Sequence, residues 1–189
     1  RMTALFRDPV IVSTTDDTMD NVLLVIVDAQ RADTLGKLLH KRGMEPFFPA
    51  MESLVKNGVS MSQAFSLGNQ TRPSTFGLLA STYPTVGHFH HIRWNYSFAM
   101  KNAFYASKPP LLPLLMRSIG YRNVHIGDNA FLFDTTAIGL DAGFDEVIDH
   151  RHGTKQTAWT TDSAKAWLRA HKSERWFMVL NYTAPHRPY

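Results

Sequence analysis

The fold class of this 189-residue chain is decided by the stretch Asn21-Val-Leu-Leu-Val-Ile-Val-Asp28. A short apolar run that is rich in β-branched residues and ends in an acid is typical of a strand buried inside a parallel sheet. Asp28 then lies at the carboxyl end of that strand, where open α/β sheets bind their ligands. Polar residues that follow strands are therefore the candidate functional residues of this chain.

Outside this strand, helical and strand patterns alternate along the chain. Helices are predicted over 33–43, 49–57, 76–80, 113–119 and 160–171. Further strands are predicted over 59–65, 124–127 and 176–180. Residues 1–20 are polar and irregular, and residues 85–110 show no period, which predicts a long functional or lid-like loop. The alternation predicts an α/β fold with a mostly parallel sheet.

Composition excludes several classes of protein. Hydrophobic residues make up 44% and charged residues 19%, so the chain can form a core and is not a disordered or low-complexity chain. The absence of cysteine excludes a disulfide framework, a thiolate zinc site and a cysteine nucleophile. The net charge is +4, but the basic residues are dispersed, so specific nucleic-acid binding is not expected.

Neither a membrane span nor a signal peptide is predicted. The longest apolar run is residues 22–27, well short of the roughly 20 residues that a transmembrane helix needs. The first 20 residues contain four aspartates and no long apolar stretch. If Met2 is the initiator, the chain is expected in the cytoplasm; if the chain is cut from a longer one, a cell-envelope or exported location is equally compatible, so the compartment stays open.

Three polar clusters are expected together at the carboxyl ends of the strands: Asp28, the turn around Thr71, and His186. Carboxylate oxygens bind divalent cations, and a hydroxyl beside such a cation becomes a nucleophile. Arg72 can pair with phosphate or sulfate oxygens through two hydrogen bonds. The alternatives are that Asp28 caps a turn, Thr71 is a helix N-cap and Arg72 is a solvated surface residue.

Several segments, in order along residues 21–189, resemble the sulfatase-like branch of the alkaline phosphatase superfamily. Asn21–Leu35 is similar to the opening strand of that family, and Thr71–Pro84 to its nucleophile turn and helix. Phe177–Tyr189 resembles the strand that carries a Pro-His-x-Pro-Tyr turn. Similar segments also occur at 57–65, 119–129 and 143–145. The resemblance implies the N-terminal portion of an alkaline-phosphatase-like fold, a mostly parallel sheet with helices on both faces.

The resemblance also implies roles for individual residues. Asp28 would bind a divalent metal (Zn, Mn, Mg or Ca), and Thr71, two residues before Pro73, would be the nucleophile and touch the same metal. His186 would contact the substrate anion. Further candidates for substrate binding are Arg72, Asn129 and Arg93.

The nucleophile turn departs from the sulfatase pattern. Sulfatases of this family carry Cys or Ser, matured to formylglycine, in Cys-x-Pro-x-Arg, whereas this chain has Thr71 and Thr75. Because threonine is typical of relatives that act on phosphate esters, the main interpretation is a metal-dependent phosphoester hydrolase or transferase with a phosphothreonine intermediate. The alternatives are a sulfatase-type hydrolase, a mutase of the superfamily, and an inactive binding or regulatory domain.

The family fold is also considerably longer than this chain, and its later half supplies further metal ligands. The resemblance therefore predicts that residues 21–189 are an incomplete domain, or that a second chain provides the remaining ligands. The expected partner in either case is an anionic phosphate- or sulfate-ester substrate.

Overall fold

The computed structural model describes residues 20–31, 49–61, 63–85, 97–127, 140–150 and 157–186. The strands are β1 (Val22–Val27), β2 (Arg122–Gly127), β3 (Glu146–Asp149) and β4 (Trp176–Tyr182). The helices are α1 (Pro49–Asn57), α2 (Thr71–Ala80), α3 (Phe98–Ser107), α4 (Leu112–Ser118) and α5 (Thr157–Ala170). Within these ranges, no helix is long and apolar enough to cross a membrane.

The described strands form one sheet in the order β1-β4-β2-β3, and every pair is parallel. This confirms the predicted parallel α/β fold. β4 lies between β1 and β2, with Leu180 beside Val25 on one side and Ile126 on the other. All four carboxyl ends therefore meet at one edge of the sheet, and β1 and β4 are neighbours there.

Helices cover both faces of the sheet, as the resemblance implied. On one face, Trp167 of α5 packs against Met178 and the neighbouring apolar residues of β2. On the other face, Met116 of α4 packs against Phe177 and its neighbours. Burying each of these large side chains stabilises the fold by about 1.5–3 kcal/mol. Helix α2 joins the second face through a cluster of Phe76, Leu79, Ala80, Phe104, Leu111 and Leu140, with Leu24 of β1 packed against it.

Element boundaries agree with the prediction for some elements and shift for others. Helix α1 has the predicted bounds, with proline at its first position and glycine directly after it. Helix α2 begins at Thr71 rather than residue 76, β2 at Arg122 rather than 124, and β4 ends at Tyr182 rather than 180. In each strand the extra residues are polar or charged but pair with a neighbouring strand, and apolar character alone does not report such pairing. Helices α4 and α5 differ from prediction by one to three residues at their ends.

The prediction that residues 85–110 form a loop is wrong for part of that range. Residues 98–107 form α3, and the Ser97 side chain caps it by accepting a hydrogen bond from the Met100 backbone N–H at 3.3 Å. Phe104, the one buried residue of α3, meets Phe76 edge to face with ring centroids 6.0 Å apart. A single buried position produces no apolar period, so the sequence pattern could not indicate this helix.

The predicted strand over 59–65 is also wrong for the residues described in that range, which are 59–61 and 63–65. Val59, Met61 and Phe65 are 86%, 70% and 82% exposed. Alternating apolar residues favour a strand only where a neighbouring strand offers backbone pairing, and none of the four described strands lies beside this segment. The predicted helix over 33–43 and the irregular segment over 1–19 lie outside the described residues.

Candidate functional site

Two of the predicted site residues meet at the carboxyl edge of the sheet. The hydroxyl of Thr71 donates a hydrogen bond of 2.8 Å to Oδ2 of Asp28, across 43 residues of sequence. The backbone N–H of Asp28 donates to the Tyr182 carbonyl oxygen at 2.9 Å, which extends the pairing of β1 with β4 by one residue. Ala29 then turns the chain with a φ of 58°. The main chain thus holds Asp28 firmly at the edge where α2 begins.

Thr71 is the first residue of α2, and its side chain does not cap the helix. The N-cap is Gln70, which makes no side-chain capping bond. The alternative that Thr71 is an N-cap is therefore wrong, because its hydroxyl is directed to Asp28 instead. The first turn contains no acidic residue. The positive end of the helix dipole therefore lies next to a hydroxyl–carboxylate pair.

A serine clasp, made by Ser66, Gly68 and Ser74, holds the turn that leads into α2. The hydroxyls of both serines donate to the Gly68 carbonyl at 2.7 Å, and the two hydroxyls lie 2.7 Å apart. A Cβ on Gly68 would lie 2.9 Å from Cγ of Pro73, so a larger residue would push this turn away from the helix. The sequence analysis identified the polar turn but missed the serine clasp. The two serines on either side of Gly68 are the sequence feature that could have indicated it.

The remaining predicted site residues have different positions. Arg72 follows Thr71 in the first turn of α2 and is half-buried. His186 is exposed in the turn after β4, and its backbone N–H donates to the Thr183 carbonyl oxygen at 2.8 Å. Because β4 adjoins β1, His186 follows the strand next to Asp28. Asn129 and Arg93 lie outside the described residues.

Buried polar residues lie deeper on the strands that lead to this edge. Asn181 of β4 and His125 of β2 are both 0% exposed. Burial lowers the pKa of His125 to about 3, so its imidazole is neutral near pH 7. The sequence prediction placed Asn181 in a loop and gave it no role, although a carboxamide directly after an apolar run is a signal that could have been followed.

The Asp28–Thr71 pair has the chemistry of a partial cation site. Its carboxylate and hydroxyl oxygens are ligands that Mg²⁺, Mn²⁺ and Ca²⁺ accept. Among the residues that the structure describes, no cluster of three or more His, Asp or Glu side chains is arranged to hold a metal ion. The pair therefore fits a divalent cation in ligand type, and further ligands would come from outside the described residues.

Comparison with known proteins gives a family and a fold. The sequence model of a protein family, described as Sulfatase, matches residues 20–189 of this chain. No curated protein matches the chain. One similar solved structure is that of BT4656 in complex with its substrate D-glucosamine-2-N,6-O-disulfate, at 16% sequence identity and a TM-score of 0.69. The match covers 90% of this chain and 35% of that one, so this chain spans about a third of the length of BT4656.

Proposed function

This chain belongs to the sulfatase family of the alkaline phosphatase superfamily, and we propose that it carries the nucleophile of a hydrolase that acts on an anionic ester. The observation that carries the proposal is the hydrogen bond of 2.8 Å from Thr71 to Asp28. A hydroxyl held against a carboxylate at a helix N-terminus combines a nucleophile, a proton acceptor and a site of positive potential.

In the proposed reaction, Oγ1 of Thr71 attacks the central sulfur or phosphorus atom of the ester. A bond from Oγ1 to that atom forms, the bond to the alcohol oxygen breaks, and the hydroxyl proton passes to Oδ2 of Asp28. The alcohol leaves with a proton from solvent. Water then hydrolyses the threonyl ester, which releases the inorganic anion and restores the Thr71 hydroxyl.

Negative charge on the oxygens of the reacting group is stabilised by groups beside Thr71. The positive end of the α2 dipole lies at this position, and Arg72 in the same turn adds a positive charge. A single well-placed donor of this kind is typically worth about 3 kcal/mol in the transition state. His186, in the turn after β4, is proposed as a further contact to the anion.

A divalent cation is proposed as the cofactor, since the family implies one and the oxygen donors of Asp28 and Thr71 fit a hard cation. When bound, it would supply positive charge that favours the ionised hydroxyl and neutralises the substrate anion. Its identity among Zn, Mn, Mg and Ca stays a prediction. Its remaining ligands would come from residues outside the described ranges or from a second chain.

The ester is proposed to be a sulfate ester, because the family and the structural neighbour both favour a sulfatase-type hydrolase. The neighbour acts on a sulfated sugar, which makes a sulfated saccharide the first substrate class to try. One observation favours a phosphate ester instead. Thr71 carries a methyl group on its β-carbon, so its oxidation would give a ketone and not the formylglycine aldehyde. A direct attack by the threonine hydroxyl suits either ester.

The test compares 4-nitrophenyl sulfate, 4-nitrophenyl phosphate and bis(4-nitrophenyl) phosphate, each with Mn²⁺, Mg²⁺, Ca²⁺ and Zn²⁺ in turn. We expect one substrate class to be hydrolysed, Thr71→Ala to lose about a thousandfold or more of that activity, and Thr71→Ser to retain most of it. Thermal unfolding checks that both variants fold. Equal turnover by Thr71→Ala would contradict the nucleophile, and no turnover of any ester would favour a binding or regulatory domain.

A further inference from the structure

Asn181 is a buried carboxamide whose hydrogen-bonding groups are unused within the described structure. Its side chain is 0% exposed, and neither Oδ1 nor Nδ2 has a hydrogen-bond partner among the residues described. Leaving a polar group buried and unpaired destabilises a fold, and an apolar side chain of the same shape would avoid this cost. We therefore expect Asn181 to contribute to function rather than to the stability of the fold.

The register of the sheet places Asn181 beneath the candidate site. It lies beside Ile26 of β1 and Gly127 of β2, and the next residue of β4 accepts the hydrogen bond from the Asp28 N–H. Phe177 and Val179 pack in the same cluster as Leu24 and Ile26. Because side chains alternate along a strand, Asn181 and Asp28 continue these two rows on the same face.

The separation suits a contact between the two side chains. Parallel strands lie about 4.8 Å apart and rise about 3.3 Å per residue, which puts the Cα atoms of Asp28 and Asn181 about 8 Å apart. On the side of β2 the chain approaches closely, because a Cβ on Gly127 would lie 3.1 Å from Cβ of Asn181 and 3.0 Å from Cε1 of His125. On the other side, the row of β1 residues on the same face continues to Asp28, which carries a carboxylate.

We propose that Asn181 is a positioning residue for the Asp28–Thr71 pair. Its Nδ2 donates to the Asp28 carboxylate, directly or through one buried water molecule, while that carboxylate holds a divalent cation. A donor in this position fixes the orientation of the carboxylate, which already accepts the Thr71 hydrogen bond on Oδ2. This inference rests on the proposed function, because it requires Asp28 to bind the cation.

The chain offers a matched control in Asn123, a second buried asparagine, at the amino end of β2. Its Nδ2 donates to the backbone carbonyls of Pro113 and Gly143 at 2.5 and 2.8 Å. Asn123 therefore stabilises the fold and lies at the opposite end of the sheet from Asp28. Leucine replaces either asparagine with the same number and branching of side-chain heavy atoms.

The experiment titrates the full chain and its variants with Mn²⁺ by calorimetry, and measures thermal unfolding of each without metal. Asp28→Asn identifies the binding that depends on Asp28. We expect Asn181→Leu and Asn181→Ala to weaken that binding about tenfold or more. We also expect Asn181→Leu to unfold at the same temperature as the wild type or higher. Asn123→Leu should show the reverse, with a lower unfolding temperature and unchanged Mn²⁺ affinity.

Two results would overturn the role of Asn181 alone. One is wild-type Mn²⁺ affinity in both Asn181 variants; the other is an unfolding temperature of Asn181→Leu that falls as far as that of Asn123→Leu. A wild-type chain with no Mn²⁺ binding that depends on Asp28 would overturn the proposed cation site, and this inference with it. The wild-type titration therefore separates failure of the cation site from failure of the inference about Asn181.

Discussion

The two ends of the parallel sheet use polar residues in opposite ways. At the amino end, Arg122 pairs with both Glu146 and Glu174, and Asn123 donates to two backbone carbonyls. At the carboxyl end, the carboxamide of Asn181 is buried without a partner among the described residues. At the first end, the Arg122 guanidinium and Nδ2 of Asn123 are paired within the fold, whereas at the second end Nδ2 of Asn181 is left for the role proposed above.

The charged residues of the amino end show how such pairing works. Nη2 of Arg122 lies 2.7 Å from Glu146, and Nη1 lies 3.3 Å from Glu174. Burial by itself would raise the pKa of Glu146, but the hydrogen bond and the charge of Arg122, together with its other neighbours, outweigh burial and the pKa is lowered. Glu146 is thus held in its charged form by neighbours within the fold.

Asn123→Leu should give the largest loss of stability. The variant removes the donor for the buried carbonyls of Pro113 and Gly143, so we expect the free energy of unfolding to fall by about 2–4 kcal/mol. Urea unfolding at equilibrium measures it, with Asn181→Leu as the comparison. A loss as large in Asn181→Leu would remove the contrast between the two ends of the sheet.

The pH dependence of stability tests His125, which lies on β2 between the two ends. Its folded pKa of about 3 is below the unfolded value near 6.5, so the unfolded chain binds the proton first as the pH falls. Its contribution is complete above pH 6.5 and declines by about 1.4 kcal/mol for each pH unit below that, toward pH 3. Urea unfolding of the wild type and of His125→Phe across this window measures the difference. Equal slopes in the two proteins would show that His125 titrates normally.

Arg122→Gln should have the smallest effect. The guanidinium and both of its carboxylate partners are partly exposed, with 41%, 33% and 40% of their side chains accessible, so solvent screens these pairs. We expect a small decrease in the urea midpoint that disappears at about 1 M NaCl, where charges are screened within about 3 Å. A decrease that persists at high salt would mean that Arg122 contributes through packing rather than charge.

The elements that the sequence predicted well are those whose signals are local. The apolar run Val22–Val27 forms the predicted parallel strand, although β1 is at the edge of the described sheet and Leu23 and Val25 are exposed rather than buried. Helix α1 is bounded by proline at position 49 and glycine at position 58. The elements it predicted badly depend on partners distant in sequence. Residues 59–65 have a strand pattern without a neighbouring strand, and α3 buries only Phe104, so its pattern has no period.

The residues of the candidate site also differ in how far the sequence alone could identify them. Asp28 and Thr71 were identified from residue type, from their positions after a strand and before a helix, and from a family resemblance. Their contact is observed, but their predicted roles, like those of His186, Arg72, Asn129 and Arg93, stay predictions. Asn181 was assigned to a loop, because the backbone pairing that extends β4 to Tyr182 leaves no mark in local composition.

The sequence by itself therefore determined the parallel α/β class, the family to which the chain is similar, and the residue types available for chemistry, since each of these depends on local pattern. Tertiary structure decided the strand order, which places the last strand beside the first. It also brought Thr71 to within 2.8 Å of Asp28 and buried Asn181 beneath them. These contacts join residues 43 and more positions apart, and only the packing of helices on a paired sheet fixes such distances.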